Sequence, residues 1–475
     1  MDLTGLPNRT ASLAPAAGLA RRAFGVLTAA AVTLAGMGPL ASPPAAAQQR
    51  SGGMSVIRDT EIENLLRDYA TPVLRAAGLA QQNVRVVVLN DRAFNAFVMD
   101  GRHIFINAGA LFDAKTPNEI IGVFAHETGH LAGGHLLKLR EQLARAQTAS
   151  IIALLLGAGA AVAGGSNAGA AAIMAPQSAI QRSLLAYVRT QEDAADHAGV
   201  KFLNASHQSA RGMIELFKRL SNEALFNSRY VDPYLQTHPM PQERVAALEA
   251  VARQSPYFDV KDPPALQARH DMMRAKLSGF LDRPDTVARR YPMSDQSMPA
   301  RYARAIAAYR HADLRNALAQ IDGLIQAQPG NAYFQELKGQ ALLEAGRGAE
   351  AVAPLRRAVQ LSNNAPLIQV MLAQALIGSN NAANAEEAVR LLNSALAREP
   401  TIPEAYDQLA MAYGRKGDLG RADLAAAQAA LNRGDLRTAR QIAARAKGRL
   451  PVGSPPWVRA NDITNDKPQS RNARN

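Results

Sequence analysis

Hydrophobic and polar positions recur with helical or strand periods along most of the chain. Residues 56–79 carry apolar side chains at helical intervals, which predicts an opening helix that ends at Gly78. Asp100-Gly101 separates two short apolar runs and predicts a hairpin with a primed turn. The predicted strands of this small sheet are residues 84–90, 95–99 and 102–107.

Two longer helices are predicted around residues that carry chemistry. Thr116 as N-cap, Pro117 at the first helical position and Glu119 in the first turn are typical of a helix start. The apolar residues 120–124 continue as the buried side of this helix. Residues 183–203 form a second, amphipathic helix. Residues three or four positions apart share a helix face, so spacings within these segments have geometric meaning.

Small residues recur with a period near 34 in the C-terminal half. Ala317 and Ala351 are 34 positions apart, Ala388 follows 37 later with an insertion at "NAAN", and Ala422 follows after another 34. This period is typical of tetratricopeptide-like helix-turn-helix repeats. Pro329, Asn363 and Pro400 lie twelve positions after the first three of these alanines, and the pair Ala439 and Pro451 repeats that offset. A concave protein-docking surface is the functional interpretation, and a packing scaffold is the alternative.

The first 47 residues predict an export signal. Arg21 and Arg22 precede a long uncharged stretch, and the small residues that end at Ala47 suit cleavage there. The run from Arg21 to Phe24 also resembles a twin-arginine motif, with an ordinary basic n-region as the alternative. An N-terminal membrane anchor is the other interpretation, which the small-residue cleavage site disfavours. We therefore predict a periplasmic protein.

The amino-acid composition limits the kinds of functional site that this chain can contain. The chain has 475 residues, enough for two or three domains, and no cysteine, which excludes disulfides, cysteine-ligated zinc and thiol nucleophiles. Its net charge of +13 is spread along helical patterns without dense basic runs, which disfavours nucleic-acid binding. An acidic partner or an anionic membrane surface fits this charge better.

Residues 146–181 contain no charged side chain. A transmembrane helix needs about 20 continuous apolar residues, and the run "GGSN" at 164–167 interrupts this one. We predict two short apolar helices that cover the active-site side and make peripheral contact with a membrane or a partner. A buried helical hairpin is the alternative.

A metal-binding pattern lies in the first of the two longer helices. Residues 125–135 read "AHETGHLAGGH" and hold three of the nine histidines. His126 and His130 are four positions apart with Glu127 beside the first, which is the HExxH signature of zinc peptidases. On a helix this spacing brings both imidazoles onto one face, within reach of one cation.

A third protein ligand is needed, because catalytic zinc sites keep the fourth position for water. One class of zinc peptidase uses a histidine ten positions after the first, but position 136 is leucine and His135 misses by one. We interpret His135 as a polar residue at the helix end, with metal contact as the alternative. Glu192 in the helix 183–203 is the predicted third ligand.

Asp196 follows Glu192 by one helical turn and is predicted to accept the free N–H of a ligand imidazole. The neighbouring Asp193 is a poorer candidate for the metal, because one helical step turns it about 100° away from Glu192. For Glu192 and Asp196 alike, an ordinary solvated carboxylate is the alternative.

Four segments together resemble the gluzincin metallopeptidases: residues 95–111, 126–130, 189–196 and 237–244. The resemblance implies that His238, on a loop near the metal, occupies the fourth coordination position in a resting state and acts as a gate. From its residues alone, His238-Pro239 would be a surface turn. Arg244 matches a recurring arginine of the family, and its role stays unassigned.

Peptide-bond hydrolysis follows from this site. One Zn²⁺ per chain, held by His126, His130 and Glu192, lowers the pKa of its water to about 7. Glu127 takes the proton and later delivers it to the leaving amine, and His238 completes the predicted catalytic residues. The strand at 95–99 is predicted either to pair with an extended substrate or to be an ordinary sheet strand.

These patterns predict a mostly α protein, with a zincin-like α+β metallopeptidase domain that contains a small sheet, followed by an α-helical tetratricopeptide solenoid. The predicted order is a signal peptide at 1–47, the zinc metallopeptidase domain at 54–260, a connecting helical segment at 261–295, tetratricopeptide-like repeats at 296–451 and a disordered tail at 452–475.

Two functional classes remain open at this point. The first is an exported zinc endopeptidase whose repeats bring it to its clients. The second is a chaperone or adaptor with a silenced or structural metal site. The resemblance implies unfolded or misassembled outer-membrane proteins as clients, a chaperone role in their assembly, and docking to the barrel-assembly machinery through the repeats.

Overall fold

The computed structural model of this protein describes residues 55–164, 166–226, 233–311, 313–379 and 382–465. The predicted signal peptide at 1–47 lies outside the described residues. Packing divides the chain into two compact units, one of residues 55–400 with 411–416 and one of residues 401–410 with 417 onward. The domain boundaries drawn from the sequence stay predictions.

The larger unit contains a four-stranded sheet. Its strands are β1 (Val56–Ile57), β2 (Arg85–Leu89), β3 (Ala96–Asp100) and β4 (His103–Asn107). The strand order is β1-β2-β4-β3, with β2 parallel to β4 and the other two pairs antiparallel. The three predicted strands are confirmed, and β3 forms one edge of the sheet.

The turn between β3 and β4 differs from the primed turn that the sequence predicted. Neither Gly101 nor Arg102 has a positive φ. The Asp100 carboxylate instead accepts hydrogen bonds from the backbone N–H groups of Arg102 and His103, both at 2.8 Å. An aspartate side chain can close a turn in this way, so the backbone needs no left-handed residue.

Eight helices accompany the sheet in the described part of the N-terminal half. They are α1 (Thr60–Ala76), α2 (Ala108–Asp113), α3 (Pro117–Gly133), α4 (His135–Gly164), α5 (Ser166–Ala205), α6 (Arg211–Phe226), α7 (Pro233–Thr237) and α8 (Gln242–Ala252). Helix α3 packs against α1, α5 and α6, as well as against the sheet. Tyr69, Ile104, Phe124 and Phe217 are buried around it, so α3 runs through the core.

The uncharged segment 146–181 does not form two short helices. It is the end of α4 and the beginning of α5, and these two long helices pack against each other. The backbone stays helical from Ser166 to Ala205, so the apolar part and the predicted amphipathic helix are continuous. The predicted membrane contact falls largely on side chains outside the described residues and stays a prediction. No helix in the described part combines the length and apolar character needed to cross a membrane.

Helical pairs account for most of the remaining described residues. They are α9 (Pro264–Leu281), α10 (Pro284–Arg290), α11 (Met298–Arg310), α12 (Leu314–Ala327), α13 (Ala332–Glu344), α14 (Gly348–Leu361), α15 (Pro366–Gly378), α16 (Ala382–Arg398), α17 (Pro403–Arg415), α18 (Leu419–Asn432), α19 (Leu436–Lys447) and α20 (Pro455–Asn465). The repeat residues Ala317, Ala351 and Ala388 are fully buried, which lets the paired helices approach closely. The predicted fold class, mostly α with a small sheet and a helical repeat region, is confirmed.

The segment 455–465 is more ordered than the sequence predicted. Residues 455–465 form α20, so the prediction of disorder from residue 452 is wrong for this stretch. Ala460 and Ile463 are buried against α18 and α19, and Lys447 lies 5.1 Å from the centre of the Trp457 ring. These contacts supply the apolar burial that orders a segment of polar composition.

A buried ion network joins α1 to the helices that follow the sheet domain. Lys276 on α9 is 4% exposed, and its Nζ lies 2.7 Å from Asp59 Oδ2 and 3.1 Å from Glu61 Oε2. Glu336 on α13 approaches the same ammonium at 4.0 Å. The Tyr302 hydroxyl on α11 donates to Glu61 at 3.0 Å. One cation thus lies among three carboxyl groups from distant parts of the larger unit.

Candidate metal centre

Helix α3 carries the HExxH residues into the interior. His126 and Glu127 are fully buried and His130 is nearly so. One helical turn separates the two histidines, and their Nε2 atoms lie 3.1 Å apart. Both imidazoles therefore present a nitrogen to the same point, as the spacing predicted.

A close contact between α3 and α5 brings Glu192 to this point. A Cβ on Gly129 would lie 2.6 Å from the carbonyl oxygen of Ala195, so only glycine permits the helices to approach this far. Glu192 stands one turn before Ala195. Its Oε1 lies 3.4 Å from His130 Nε2, and its Oε2 lies 3.5 Å from His126 Nε2.

His238 reaches the same point from the segment after α7. Its backbone N–H donates to the carbonyl of Tyr234 at 2.7 Å, which continues the last turn of α7. Its Nδ1 lies 3.0 Å from Glu192 Oε2 and 3.3 Å from His126 Nε2. Four residues, His126, His130, Glu192 and His238, thus each offer a ligand atom within 4.8 Å of the others. We call them the four-ligand cluster.

Asp196 and Arg244 form a buried layer behind the cluster. Asp196 Oδ1 accepts a hydrogen bond from His126 Nδ1 at 2.8 Å, which leaves Nε2 of that ring facing the cluster. Arg244 Nε donates to Asp196 Oδ2 at 2.6 Å, and Arg244 Nη2 lies 3.2 Å from Glu192 Oε2. Arg244 Nη1 also donates to the Pro239 carbonyl at 2.6 Å. Arg244 therefore ties the ligand helix α5 to the loop that carries His238.

Charge inside the cluster is balanced by carboxylates. Burial alone would raise the pKa of Glu192, but the nearby His238 and His126 imidazoles lower it well below its usual range. The pKa of Asp196 is also lowered, since the hydrogen bonds from His126 and Arg244 outweigh its burial. Both acids therefore stay ionised, and the centre of the site favours positive charge.

The pKa values of the two HExxH histidines are shifted in opposite directions. Burial alone would lower the pKa of His126, but its hydrogen bonds to Asp196 and Glu192 raise it to about 10. Burial and the positive charge at His126 lower the pKa of His130 to about 2. Asp196 and Glu192 thus favour positive charge beside the His126 ring. A divalent ion at the same place would satisfy the same carboxylates and let both imidazoles stay neutral.

Glu127 is placed differently from the other acids. Both of its side-chain oxygens are buried, and neither has a hydrogen-bond partner among the described residues. Burial raises the pKa of Glu127. The His238 Nε2 atom is 3.5 Å from Glu127 Oε1. Buried carboxylate oxygens are normally satisfied, so these fit a site that takes a metal ion and the water it would bring.

The structure places six predicted site residues around one point: the four-ligand cluster, Glu127 and Asp196. The poorer candidate Asp193 is exposed on the outer side of α5. Two neighbours were not recognised from the sequence. The sequence alone assigns no role to Arg244. It predicts only a helix-end position for His135, whose Nδ1 lies 3.0 Å from His130 Nδ1 in the structure. The consecutive glycines before His135 were the signal for its position.

Comparison with known proteins agrees with this geometry. Residues 57–252 match the model of Peptidase family M48. The chain is 22% identical over 415 residues to the beta-barrel assembly-enhancing protease of Yersinia pestis, covering 86% of this chain and 83% of that protein. The protein of the same name from Escherichia coli K12 is 24% identical over 411 residues, covering 84% and 78%.

Among solved structures, MamA aligns with 34% of this chain and 90% of its own, at 18% identity and a TM-score of 0.28. That overlap is too loose to bear on the fold. The family match, in contrast, contains every residue of the four-ligand cluster as well as Glu127, Asp196 and Arg244. Residues 57–252 therefore resemble the metallopeptidase domain of Peptidase family M48, and the candidate metal ligands lie within the matched residues.

Proposed function

We propose that this chain is an exported, zinc-dependent endopeptidase that hydrolyses peptide bonds of unfolded or misassembled envelope proteins. The observation that carries the proposal is the buried Glu127 carboxylate beside the four-ligand cluster, without a hydrogen-bond partner among the described residues. A general base must lie within reach of the water that it activates. The position of Glu127 suits that task, because its oxygens are not engaged in hydrogen bonds with the described residues.

Zinc is the ion that this donor set fits. Two imidazoles and one carboxylate are the ligands of a known type of catalytic zinc site. His126 and His130 would hold one ion per chain through Nε2, and Glu192 through its carboxylate. When bound, zinc lowers the pKa of a water to about 7 and polarises the substrate carbonyl.

Glu127 accepts a proton from the attacking water and then donates it to the nitrogen of the leaving amine. Burial raises the pKa of Glu127, which suits a group that must both take and release a proton near neutral pH. Asp196 fixes the tautomer of His126, and Arg244 holds Glu192 and Asp196 in place. The ligand side chains are thus preorganised for the ion.

An extended substrate segment is proposed to pair with β3. This strand is an edge of the described sheet and packs against α3. Strand addition recognises the substrate backbone through main-chain hydrogen bonds. A folded protein has few free extended segments, so this mode of binding selects unfolded chains.

Three observations support the proposed clients, docking and location of this protein. The relatives' printed names refer to beta-barrel assembly, and we propose unfolded or misassembled outer-membrane proteins as clients. The buried repeat alanines support a regular helical surface that docks clients or the barrel-assembly machinery and gives the protein a chaperone role. The basic and then uncharged N-terminal sequence that ends at Ala47 supports a periplasmic location.

Cleavage of one client in two states tests this function. An unfolded outer-membrane barrel protein is expected to be cut at least about tenfold faster than the same protein folded in micelles, because only the unfolded chain offers free backbone. Fragments are quantified by mass spectrometry, and a chelator followed by added zinc serves as the control for metal dependence. Equal cutting of both states would contradict pairing with β3. If the enzyme has zinc bound and the client still stays intact in both its unfolded and its folded state, the endopeptidase function would be contradicted.

His238 is proposed as a gate because its Nδ1 lies 3.0 Å from Glu192, where it occupies the space that substrate and water need. Replacement by alanine is expected to raise casein cleavage. If about a third of the molecules are open at rest, the increase is about threefold. Initial rates of His238→Ala, compared with the exposed-histidine control His207→Ala, measure the effect. An unchanged rate in His238→Ala would remove the gate.

A further inference from the structure

His130 uses both of its ring nitrogens, and the second one points away from the four-ligand cluster. Its Nε2 faces His126 and Glu192, at 3.1 Å and 3.4 Å. Its Nδ1 lies 3.0 Å from Nδ1 of His135, a residue that is 7% exposed. Two imidazole nitrogens at this distance share one proton, so one ring donates and the other accepts.

The direction of that hydrogen bond follows from the chemistry at the other nitrogen. A neutral imidazole carries one N–H and one lone pair. If Nε2 of His130 supplies its lone pair to a cation, the proton must be on Nδ1, which then donates to Nδ1 of His135. His135 in turn carries its own proton on Nε2. His126 has the equivalent arrangement, with Asp196 as the acceptor.

The chain reversal between α3 and α4 is built to seat the His135 ring. Gly134 has a φ of 62°, in the left-handed region, where it ends α3 and lets α4 begin at once with His135. A Cβ on Gly133 would lie 2.1 Å from Nε2 of His135. The first glycine therefore leaves room for the ring, and the second turns the backbone so that the ring folds back onto His130.

We propose that His135 is a positioning residue that accepts the Nδ1–H of His130 and so fixes the tautomer whose Nε2 lone pair faces the metal. This inference rests on the proposed zinc-dependent function. It assigns to the sequence "HLAGGH" a task that metal ligation by His126 and His130 does not explain. Groups that orient a ligand imidazole typically change metal affinity by 10- to 100-fold when they are removed.

Zinc affinity, measured by equilibrium competition with a chromophoric chelator, tests the role without any assay of hydrolysis. His135→Ala is expected to weaken zinc binding by about tenfold, the lower end of that range, because a neutral imidazole is a weaker acceptor than a carboxylate. His135→Asn is expected to stay within about threefold of wild type, because its amide oxygen can accept the same N–H. His197→Ala is the matched control, since His197 is exposed on α5. Thermal unfolding of the apo forms verifies that each variant is folded.

Three results would count against the inference, and each is separable from failure of the proposed function. Wild-type zinc affinity in a folded His135→Ala variant would overturn it. Equal weakening in His135→Ala and His135→Asn would also overturn it, because loss of packing and not loss of an acceptor would then be the cause. If neither variant folds, Gly133→Ala displaces the ring by the contact described, and unaltered affinity there would overturn it. Absence of zinc binding by the wild type would instead contradict the proposed function.

Discussion

Replacement of Glu127 by glutamine is expected to lower the rate of peptide-bond hydrolysis by about 10²- to 10⁴-fold, the usual contribution of a general base. An amide of the same shape cannot take a proton from water or return one to the leaving amine. The fold should be unaffected, because the side chain is fully buried and its oxygens make no hydrogen bond with the described residues. Removing a buried acid whose pKa burial raises should, if anything, stabilise the protein.

Casein cleavage and zinc content of Glu127→Gln, measured on the same preparation, decide the result. Bound zinc should equal that of the wild type, because Glu127 lies outside the four-ligand cluster. Glu141→Gln is the matched control, since Glu141 is exposed on α4. Cleavage at the wild-type rate by Glu127→Gln would contradict the assignment of the base.

The same variant separates the two functional classes. If the wild type cleaves clients and Glu127→Gln only binds them, the chain is a peptidase, and the variant becomes a trap whose captured proteins identify its clients. If both forms suppress aggregation of an unfolded barrel protein and neither cleaves it, the chaperone or adaptor with a silenced site is the better description. The contact of His238 with Glu192 is the feature that would silence such a site.

Replacement of Lys276 by methionine is expected to lower the free energy of unfolding by about 3–5 kcal/mol, the usual cost of removing one partner from a buried ion pair. Methionine keeps most of the side-chain volume but leaves Asp59, Glu61 and Glu336 without their shared cation. Burial already raises the pKa of Glu336 to about 8 in the presence of Lys276. Without that ammonium, ionised carboxylates in this place become still less favourable.

The loss of unfolding free energy in Lys276→Met should be larger at high pH than at low pH. Burial raises the pKa values of Glu61 and Glu336 even beside Lys276, and more so in the variant, so the folded state binds protons more tightly than the unfolded chain. Stability therefore falls as pH rises above the unfolded pKa, and the difference from the wild type should be smaller at pH 5 than at pH 8. Denaturant unfolding at both values measures it, with Lys201→Met on the exposed side of α5 as the control. A loss that is equal at both values would show that packing, and not charge, is the cause.

Much of the fold could be predicted from the sequence because it depends on local periodicity. The strands at 85–89, 96–100 and 103–107 agree with the apolar runs, and α3 begins at Pro117 after Thr116. The errors occurred where local signals were weak. The uncharged segment predicts short helices, although the structure continues it into α5. The polar composition of α20 predicts disorder, because the burial that orders it depends on α18 and α19.

The sequence by itself determined that His126, Glu127 and His130 share one turn of a buried helix, and that Glu192 and Asp196 share one face of another. Both statements follow from the 3.6-residue period, which needs no knowledge of the rest of the chain. The recurrence of small residues with a period near 34 likewise determined the helical repeats.

Only the tertiary structure decided how these local pieces meet. The approach of α5 to α3 depends on a contact between Gly129 and Ala195, which are far apart in the sequence. Arg244 acquires a role only because packing brings Asp196, Glu192 and the Pro239 carbonyl around its guanidinium. Such contacts arise from the relative placement of whole helices, and side-chain periodicity along one helix carries no information about it.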